Sequence, residues 1–495
     1  MPFLLALDQS TSATKALLFD EQGRVHDRES LSHRQHYPQP GWVEHDAEEI
    51  WANTLAVLRA VAARAIAAGR APAALSITNQ RETVVIFERG SGRALAPAMV
   101  WQDRRGVDLC DAQAAAGRGG AIHARTGLKL DAYFSASKLQ WLAQHRPDLL
   151  ARLERGEALI GTIDAYLVYR LTRGAVFATD TTNASRTLLF DITRLDWDDE
   201  LCSWWQVSRR ALPEVRESKA RFGETTLDGA LARPLPICGV MGDSQASLFA
   251  QRCFEPGTAK VTFGTGSSIL LNTGSTPRLS QRGVVTALAW VIDGIPTYTF
   301  EGIIITSAAT LTWLRDQLGF VREIGEVEEL AGQVATSEGV YLVPAFSGLG
   351  LPYWAPDARA AITGLTGHSD RRHVARAALE SMAYQLRDAL DAMRAEAGVS
   401  LRCLQADGGP TANRLLMQFT ADLTRVELRV AASADCSPLG AAFAGMLGLG
   451  IHGSLADLAA LPREETVFQP TMAESAAAEL HAGWFAAVRQ VTSGA

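Results

Sequence analysis

The chain has 495 residues, which is enough for two or three domains. Its 54 acidic and 47 basic side chains give a formal charge of −7, and this acidic balance argues against a nucleic-acid-binding protein. Residues 1–3 lack the basic start of a signal peptide, and the apolar run 439–451 is too short to span a bilayer. Six cysteines show no CxxC or zinc-type spacing. We therefore expect a reduced, cytoplasmic protein with no membrane span.

Two hairpins of the same design lie about 250 residues apart. In the first, strand-like segments 3–8 and 15–20 flank the small polar stretch 9–14. In the second, segments 259–264 and 268–272 flank Gly264-Thr-Gly-Ser267. This repetition predicts an internal duplication with a boundary near residue 250, giving domains 1–250 and 251–495.

Strands and helices alternate between and after the two hairpins. Residues 50–68 have the periodicity of an amphipathic helix, with Trp51, Leu55 and Leu58 predicted on one face. Further strands are predicted at 74–78, 84–87 and 401–407, and a long helix at 374–395. The alternation predicts an α/β fold with mixed sheets, in which two halves pack around a cleft.

Three turns of small residues follow predicted strands and are suited to binding phosphate. Asp8 precedes Thr11 and Ser12, whose hydroxyl and backbone N–H groups can form an anion nest while the carboxylate holds a divalent metal. An ordinary polar hairpin turn is the alternative. Gly264–Gly266 and Asp407-Gly-Gly409 repeat the arrangement, so the three turns can converge on one nucleotide. A P-loop is excluded, because none of the five lysines follows a glycine.

A second group of residues has the chemistry of a polyol site. Arg81 and Glu82 offer donors and acceptors to vicinal hydroxyls, although a surface ion pair has the same sequence. Trp101 and Tyr133 are either core residues or contacts to a polyol. Asp243 follows an apolar strand and is either a helix N-cap or, across the cleft from Asp8, the base that accepts a hydroxyl proton.

Three other patterns are set aside as structural. Gly448-x-Gly450-x-x-Gly453 follows a helical run, whereas a dinucleotide fingerprint follows a strand, so NAD binding is not predicted. Asn183-Ala-Ser185 matches the glycosylation sequon but lacks a secretory route. His33 and His36 form a pair without a third ligand nearby.

Along nearly its whole length, the chain resembles the glycerol kinases of the FGGY carbohydrate kinase family. The similarity runs through residues 40–46, 77–83, 182–187, 195–199, 343–350 and 407–409, and through the two signature-like stretches 133–141 and 360–380. The resemblance implies two duplicated ribonuclease-H-like (actin-like) domains and the cofactors ATP and Mg²⁺. It implies nucleotide contacts from Thr11, Ser12, Lys15, Thr265, Ala308, Gly409 and Asn413, metal ligation by Asp8 and Asp243, and a polyol site of Arg81, Glu82, Trp101, Tyr133, Asp243 and Ser244, with Asp243 as general base.

The sequence departs from the family at several positions of interest. Ser244 stands where glycerol kinases have Gln, and Ser268 stands where they have Phe, which predicts a wider and more polar pocket. Ala308 and Thr312 replace the usual Gly and Gln near the nucleotide. Residues 227–236 lack the glycine-rich loop of some bacterial members, so regulation by fructose 1,6-bisphosphate is not expected.

The resemblance implies phosphorylation of a terminal hydroxyl of glycerol to glycerol 3-phosphate, with ADP as the second product. Ser244 and Ser268 keep open a longer C4–C5 polyol or sugar as the acceptor. An actin-like ATPase switch is the alternative from another class. The sequence leaves the oligomeric state open, with a homodimer or homotetramer considered.

Overall fold

A computed structural model describes residues 2–433 and 435–492. The first half of the chain builds a six-stranded sheet and several smaller sheets, joined by nine helices and a 3₁₀ turn at Arg209–Ala211. Its strands are β1 Phe3–Gln9, β2 Ala13–Asp20, β3 Val25–Ser32, β4 Gln35–His36, β5 Glu44–His45, β6 Pro72–Asn79, β7 Val84–Glu88, β8 Ala98–Met99, β9 Ala158–Thr162, β10 Ala178–Asp180, β11 Phe190–Asp191, β12 Asp196–Trp197, β13 Glu214–Arg216, β14 Arg221–Thr225 and β15 Leu235–Gly242. Its helices are α1 Ala47–Ala67, α2 Val107–Ala115, α3 Gly119–Thr126, α4 Ser135–His145, α5 Pro147–Glu154, α6 Ile163–Leu171, α7 Thr181–Ala184, α8 Asp199–Trp204 and α9 Asp243–Ala250.

The second half builds a seven-stranded sheet covered by helices, with a 3₁₀ turn at Gly409–Ala412. Its strands are β16 Thr258–Phe263, β17 Ser267–Gly274, β18 Val285–Ile292, β19 Ile295–Ile304, β20 Tyr341–Val343, β21 Ala361–Thr363, β22 Cys403–Asp407, β23 Leu428–Ala431 and β24 Glu465–Phe468. Its helices are α10 Ala309–Asp316, α11 Gly325–Ala331, α12 Arg371–Ala397, α13 Arg414–Thr424, α14 Cys436–Gly448, α15 Leu455–Ala460 and α16 Glu474–Thr492.

The two large sheets have the same topology, which confirms the predicted duplication. The first has the order β3-β2-β1-β6-β15-β14, and the second contains β19-β17-β16-β22-β23-β24 with β18 added at one edge. In each, an antiparallel hairpin is joined by two parallel strands and closed by an antiparallel edge strand. Equivalent turns therefore lie at equivalent sheet edges in the two halves.

The predicted strands and helices are confirmed to within a few residues, but the buried face of α1 differs from the prediction. Leu58 is buried as expected, together with Ile50 and other positions of the same helical face. Trp51 and Leu55 are only partly buried. Trp51 lies at the edge of the packed face, where the Arg170 guanidinium covers its ring at 4.6 Å.

Helix α14 of the second half packs on the sheet of the first half. Gly440 leaves no room for a side chain, because a Cβ there would lie 1.8 Å from the carbonyl oxygen of Ala246 in α9. Met446 and Phe443 of α14 share a buried cluster with Leu4 of β1. This close crossing brings the ends of β1 and β15 toward the turns of the second half.

The patterns set aside as structural are structural in the fold. The GxGxxG-like stretch begins where α14 ends, at Gly448. Asn183 is fully buried and exchanges amide hydrogen bonds with Asn79. All six cysteines are free thiols. Within residues 2–433 and 435–492, one helix, α1, has the length and apolar character of a membrane span, and it packs by one face against β1, β2 and β3.

Candidate active site

Asp8 lies at the end of β1, directly across the hairpin from Lys15. The two residues are paired in the strand register, and Lys15 Nζ lies 3.7 Å from Asp8 Oδ2. The pKa of Asp8 is raised to about 6, mainly by burial; Lys15 opposes this shift, and the nearby carboxylates Asp243 and Asp435 add to it. The positive charge of Lys15 therefore does not fully compensate the negative charge of the Asp8 carboxylate.

The other residues of the first turn connect it to the predicted polyol site. Thr11 Oγ1 accepts a hydrogen bond from Trp101 Nε1 at 3.0 Å, and the Thr11 carbonyl contacts His33 Nε2 at 2.9 Å. This contact gives His33 a structural role. Ser12 is exposed at the tip of the turn. Thr11 thus orients Trp101, and Ser12 is the side chain of this turn that remains free to face a ligand.

The second turn is held against the start of α10. The carbonyl of Gly264 accepts from the N–H of Ala308 at 3.0 Å, and the carbonyl of Thr265 accepts from Ser307 at 2.8 Å. A Cβ at Gly266 would lie 2.5 Å from the Ile304 carbonyl oxygen, so this turn admits only glycine there. The Thr265 side chain remains exposed, and Ala308 is partly exposed beside it.

The third turn lies directly beside the second. Gly408 has a left-handed φ of 98°, and a Cβ there would lie 2.0 Å from the carbonyl oxygen of Phe263. Only glycine allows the end of β22 to approach β16 this closely. Asn413 caps α13, because its Oδ1 accepts from the Leu416 N–H at 2.8 Å. Its amide nitrogen is the part of the side chain that remains for a ligand.

Arg81 and Glu82 form a buried ion cluster rather than a surface pair. Arg81 Nη2 lies 2.8 Å from Glu301 Oε1, and Glu82 Oε1 accepts from Arg186 Nε at 2.6 Å. Arg186 Nη1 also lies 2.6 Å from Glu301 Oε2. The four side chains are at most 5% exposed, and their formal charges cancel. The cluster joins Arg81, Glu82 and Arg186 of the first half to Glu301 of the second.

The two buried carboxylates differ in their ease of protonation. Burial tends to raise the pKa of both. For Glu301, contacts from both Arg186 and Arg81 overcome burial and hold the pKa below its ordinary value. For Glu82, burial dominates and the pKa is raised, because only Arg186 approaches closely while Glu301 adds repulsion. Glu301 is therefore the fixed negative charge of the cluster.

Asp243 is the first residue of α9, at the end of β15, and the N-cap position belongs to Gly242. The helix N-cap alternative for Asp243 is therefore wrong. Its side chain is 35% exposed, and its Oδ1 lies 3.3 Å from Arg81 Nε. The same oxygen accepts from the backbone N–H of Ser244 at 2.6 Å and from the Ser244 hydroxyl at 3.2 Å. This leaves Oδ2 as the oxygen free to face a substrate.

Trp101 and Tyr133 form one aromatic wall of a cavity between the halves. Their ring centroids are 5.4 Å apart. Lys138 holds the Tyr133 segment by donating to the carbonyl oxygens of Ala132 and Tyr133 at 2.5 and 2.8 Å. The cavity has a volume of about 410 Å³, and Glu301 of the second half also lines it.

A smaller cavity of about 240 Å³ contains Lys260, a functional candidate that the sequence prediction missed. It is lined by Asp243, Ser244 and Ser268 together with Lys260 and Asp407. Lys260 is 2% exposed, and its Nζ donates to Thr262 Oγ1 at 2.7 Å. The sequence does carry a signal for this residue, because Lys260 is a charged residue within the apolar strand β16, two positions before Thr262. Buried charge in a predicted strand indicates a specific ligand or partner.

The two halves share one sheet topology, and each places a turn of small residues at a strand end beside the cleft. This is the architecture of the actin-like class of two-domain proteins. The chain belongs to the FGGY family of carbohydrate kinases: its N-terminal domain pattern matches residues 3–250, and its C-terminal domain pattern matches residues 259–449.

Individual relatives agree with this assignment over the full length. The chain is 44% identical to the glycerol kinase of Desulfitobacterium hafniense over 489 residues, covering 99% of each protein. It is 47% identical to the glycerol kinase of Thermus brockianus, covering 99% of this chain and 98% of that one. It is also similar to the crystal structure of Plasmodium falciparum glycerol kinase with ADP, with a TM-score of 0.94, 34% identity, and coverage of 99% and 98%. The family assignment and the fold expected from the sequence are confirmed.

Proposed function

We propose that this protein transfers the γ-phosphoryl group of ATP to a terminal hydroxyl of glycerol, giving glycerol 3-phosphate and ADP. The observation that carries the proposal is the position of Asp243, whose carboxylate contacts Arg81 of the polyol site and is electrostatically coupled to Asp8 of the first phosphate turn. The reacting hydroxyl and the phosphates would meet at this carboxylate.

Proton transfer is assigned to Asp243. As the hydroxyl oxygen forms its bond to the γ-phosphorus, the bond from phosphorus to the β,γ-bridging oxygen breaks, and ADP leaves with that electron pair. The hydroxyl proton passes to the Asp243 carboxylate. Arg81 and the Ser244 N–H hold Oδ1, so Oδ2 is the oxygen assigned to receive the proton.

The three turns and Lys260 are assigned to the nucleotide. Thr11, Ser12, Thr265 and Gly409 would offer N–H and hydroxyl donors to the phosphates, and Lys15 would add a cation beside Asp8. Ala308 and Asn413 would contact the nucleoside end. Lys260, buried beside Asp243, would stabilise the charge that develops on the phosphoryl oxygens.

Asp8 fits a Mg²⁺ site, with Asp243 as the second carboxylate near it. Asp8 is buried with a raised pKa, and within residues 2–433 and 435–492 Lys15 is the one cation paired with it, so a divalent cation would supply further positive charge. Carboxylate oxygens with phosphate and water are the ligands that Mg²⁺ prefers. When bound, Mg²⁺ would neutralise the phosphates during transfer.

The acceptor would lie against Trp101 and Tyr133, with its hydroxyls directed to the Arg81 and Glu82 cluster. A longer C4–C5 polyol is a second candidate, favoured by Ser268, because this small side chain lines the cavity that contains Asp243 and Ser244. We also propose a cytoplasmic location. A homodimer or homotetramer stays a prediction.

A substrate panel tests the function. ADP release is measured with glycerol, tetritols, pentitols and ketoses, with a no-acceptor control. Glycerol-dependent turnover with the highest kcat/KM supports the proposal, and preference for a longer polyol supports the second candidate. ATP turnover that does not depend on any polyol would instead support an actin-like ATPase switch.

A further inference from the structure

Three side chains with metal-binding chemistry meet at the surface of the second half, outside the cleft. Glu338 lies in the turn before β20, His368 lies in the loop before α12, and His373 lies in the first turn of α12. His368 Nε2 and His373 Nε2 lie 3.6 and 3.7 Å from the same oxygen, Glu338 Oε2. All three donor atoms lie within 4.8 Å of one another.

One of these donors is buried without a partner. His373 is 1% exposed, and among residues 2–433 and 435–492 no group forms a hydrogen bond with its Nε2. A buried ring nitrogen left unsatisfied carries a free-energy cost. This nitrogen faces Glu338 and His368, both of which are exposed and free to adjust. A cation bound here would satisfy it.

The other ring nitrogen of His373 lies against Asp370. Its Nδ1 is 3.1 Å from Asp370 Oδ1 and 3.1 Å from the backbone nitrogen of Asp370, whose N–H donates to it in the capping box that starts α12. A metal on Nε2 requires the proton on Nδ1, so the bond from the Asp370 N–H would be replaced by one from Nδ1 to the Asp370 carboxylate, which already lies in place. That carboxylate–histidine pair would hold the ring in its orientation for the metal.

We propose that Glu338, His368 and His373 bind a borderline divalent cation, Zn²⁺ in the first instance, with solvent as the fourth ligand. Two imidazoles and one carboxylate form a set that suits Zn²⁺, whereas Mg²⁺ and Ca²⁺ prefer oxygen ligands alone. Bonds of about 2.0–2.1 Å in tetrahedral geometry separate the ligand atoms by about 3.4 Å. The side chains therefore need only small shifts, and the ion would link the turn before β20 to the start of α12.

The experiment is a calorimetric titration of the nucleotide-free protein with ZnSO₄ in excess Mg²⁺, which keeps the Asp8 and Asp243 oxygens occupied. The variants are His368→Gln and Glu338→Gln, both at exposed positions that leave the α12 capping box intact. His36→Gln is the matched control, because His36 is an exposed histidine of the other His pair. Co²⁺ titration with visible absorption reports the coordination geometry.

We expect one Zn²⁺ site in the wild type and in His36→Gln, and affinity at least about tenfold weaker in His368→Gln and Glu338→Gln. Co²⁺ should give the intense visible bands of a four-coordinate site in the wild type and in His36→Gln, and not in the other two variants. Equal Zn²⁺ affinity in all four proteins, absence of a wild-type site, or a weak six-coordinate Co²⁺ spectrum would overturn the proposal.

Discussion

Arg81 Nη2 and Glu301 Oε1 are 2.8 Å apart, although the two residues come from different halves of the chain. Arg186 also contacts Glu301, so one carboxylate of the second half is neutralised by two guanidinium groups of the first. Arg186 and Glu301 line the same cavity as Trp101 and Tyr133. Buried ion pairs therefore join the two halves at the acceptor end of the cleft. The turns assigned to phosphate instead have exposed side chains, such as those of Ser12 and Thr265.

Replacing Glu301 with Gln should destabilise the protein and weaken acceptor binding. Arg81 and Arg186 would be left with buried Glu82 and the partly exposed Asp243 to balance them, and breaking a buried ion pair costs about 3–5 kcal/mol. Denaturant unfolding and the KM for glycerol measure the two effects. Glu224→Gln, which removes an exposed partner of Arg221, is the control and should change the unfolding free energy by less than about 1 kcal/mol. Similar effects of the two variants would contradict a structural role for the buried cluster.

Asp243→Asn should lower kcat by about 10²–10⁴-fold, because it removes the base and keeps the side-chain shape. Binding of a non-hydrolysable ATP analogue, measured by calorimetry, should remain close to that of the wild type. Asp148→Asn is the control, since Asp148 is an exposed carboxylate paired with Arg146. A kcat within a few-fold of wild type would remove Asp243 as the base.

The fold could be predicted from the sequence because the two hairpins repeat one pattern and the strands end in turns of small residues. Arg81, Glu82 and Asp243 could be proposed as site residues because each is a polar residue that follows an apolar strand. The ion pair between Arg186 and Glu301 could not be predicted, because more than 100 residues of chain separate the two and no local sequence pattern encodes the contact. Trp51 was misplaced because periodicity alone does not say where the packed face of a helix ends.

Asp8→Asn should stabilise the protein at neutral pH while abolishing transfer. The folded pKa of about 6 exceeds the ordinary value of 3.8, so the folded state favours the protonated carboxyl. The stability contribution of Asp8 is therefore present in full below about pH 4 and is lost as the pH rises through 6. At pH 8 the neutral amide should gain at most about 3 kcal/mol over the wild type.

The check is the difference in unfolding free energy between wild type and Asp8→Asn at pH 5 and pH 8. It should be clearly larger at pH 8 in the absence of Mg²⁺. Added Mg²⁺ should raise the stability of the wild type more than that of the variant, because the ion would relieve the charge on Asp8. A stability difference that does not vary with pH would contradict the raised pKa.

Lys260→Met should lower kcat by about 10²-fold and leave the KM for glycerol nearly unchanged. Methionine keeps the length and apolar stem of the side chain but removes the charge assigned to the transferring phosphoryl group. Steady-state kinetics in both substrates measures this separation. Lys219→Met is the control, because Lys219 pairs with exposed Asp293 away from the cleft and should behave as wild type. An unchanged kcat would contradict the assignment of Lys260 to the transferring phosphoryl group.

Ser268→Phe should shift acceptor preference toward glycerol. Ser268 lines the small cavity beside Asp243 and Ser244, so a phenyl ring there would add an apolar wall against a short carbon chain and exclude a longer one. We expect kcat/KM for glycerol to rise, relative to kcat/KM for tetritols and pentitols, by about tenfold. Ser268→Ala adds no bulky side chain to the cavity and should match the wild type across the same panel of acceptors. If the phenylalanine and alanine variants show the same acceptor profile, the small side chain at 268 does not set acceptor length, and the Trp101 and Tyr133 side of the cleft must do so.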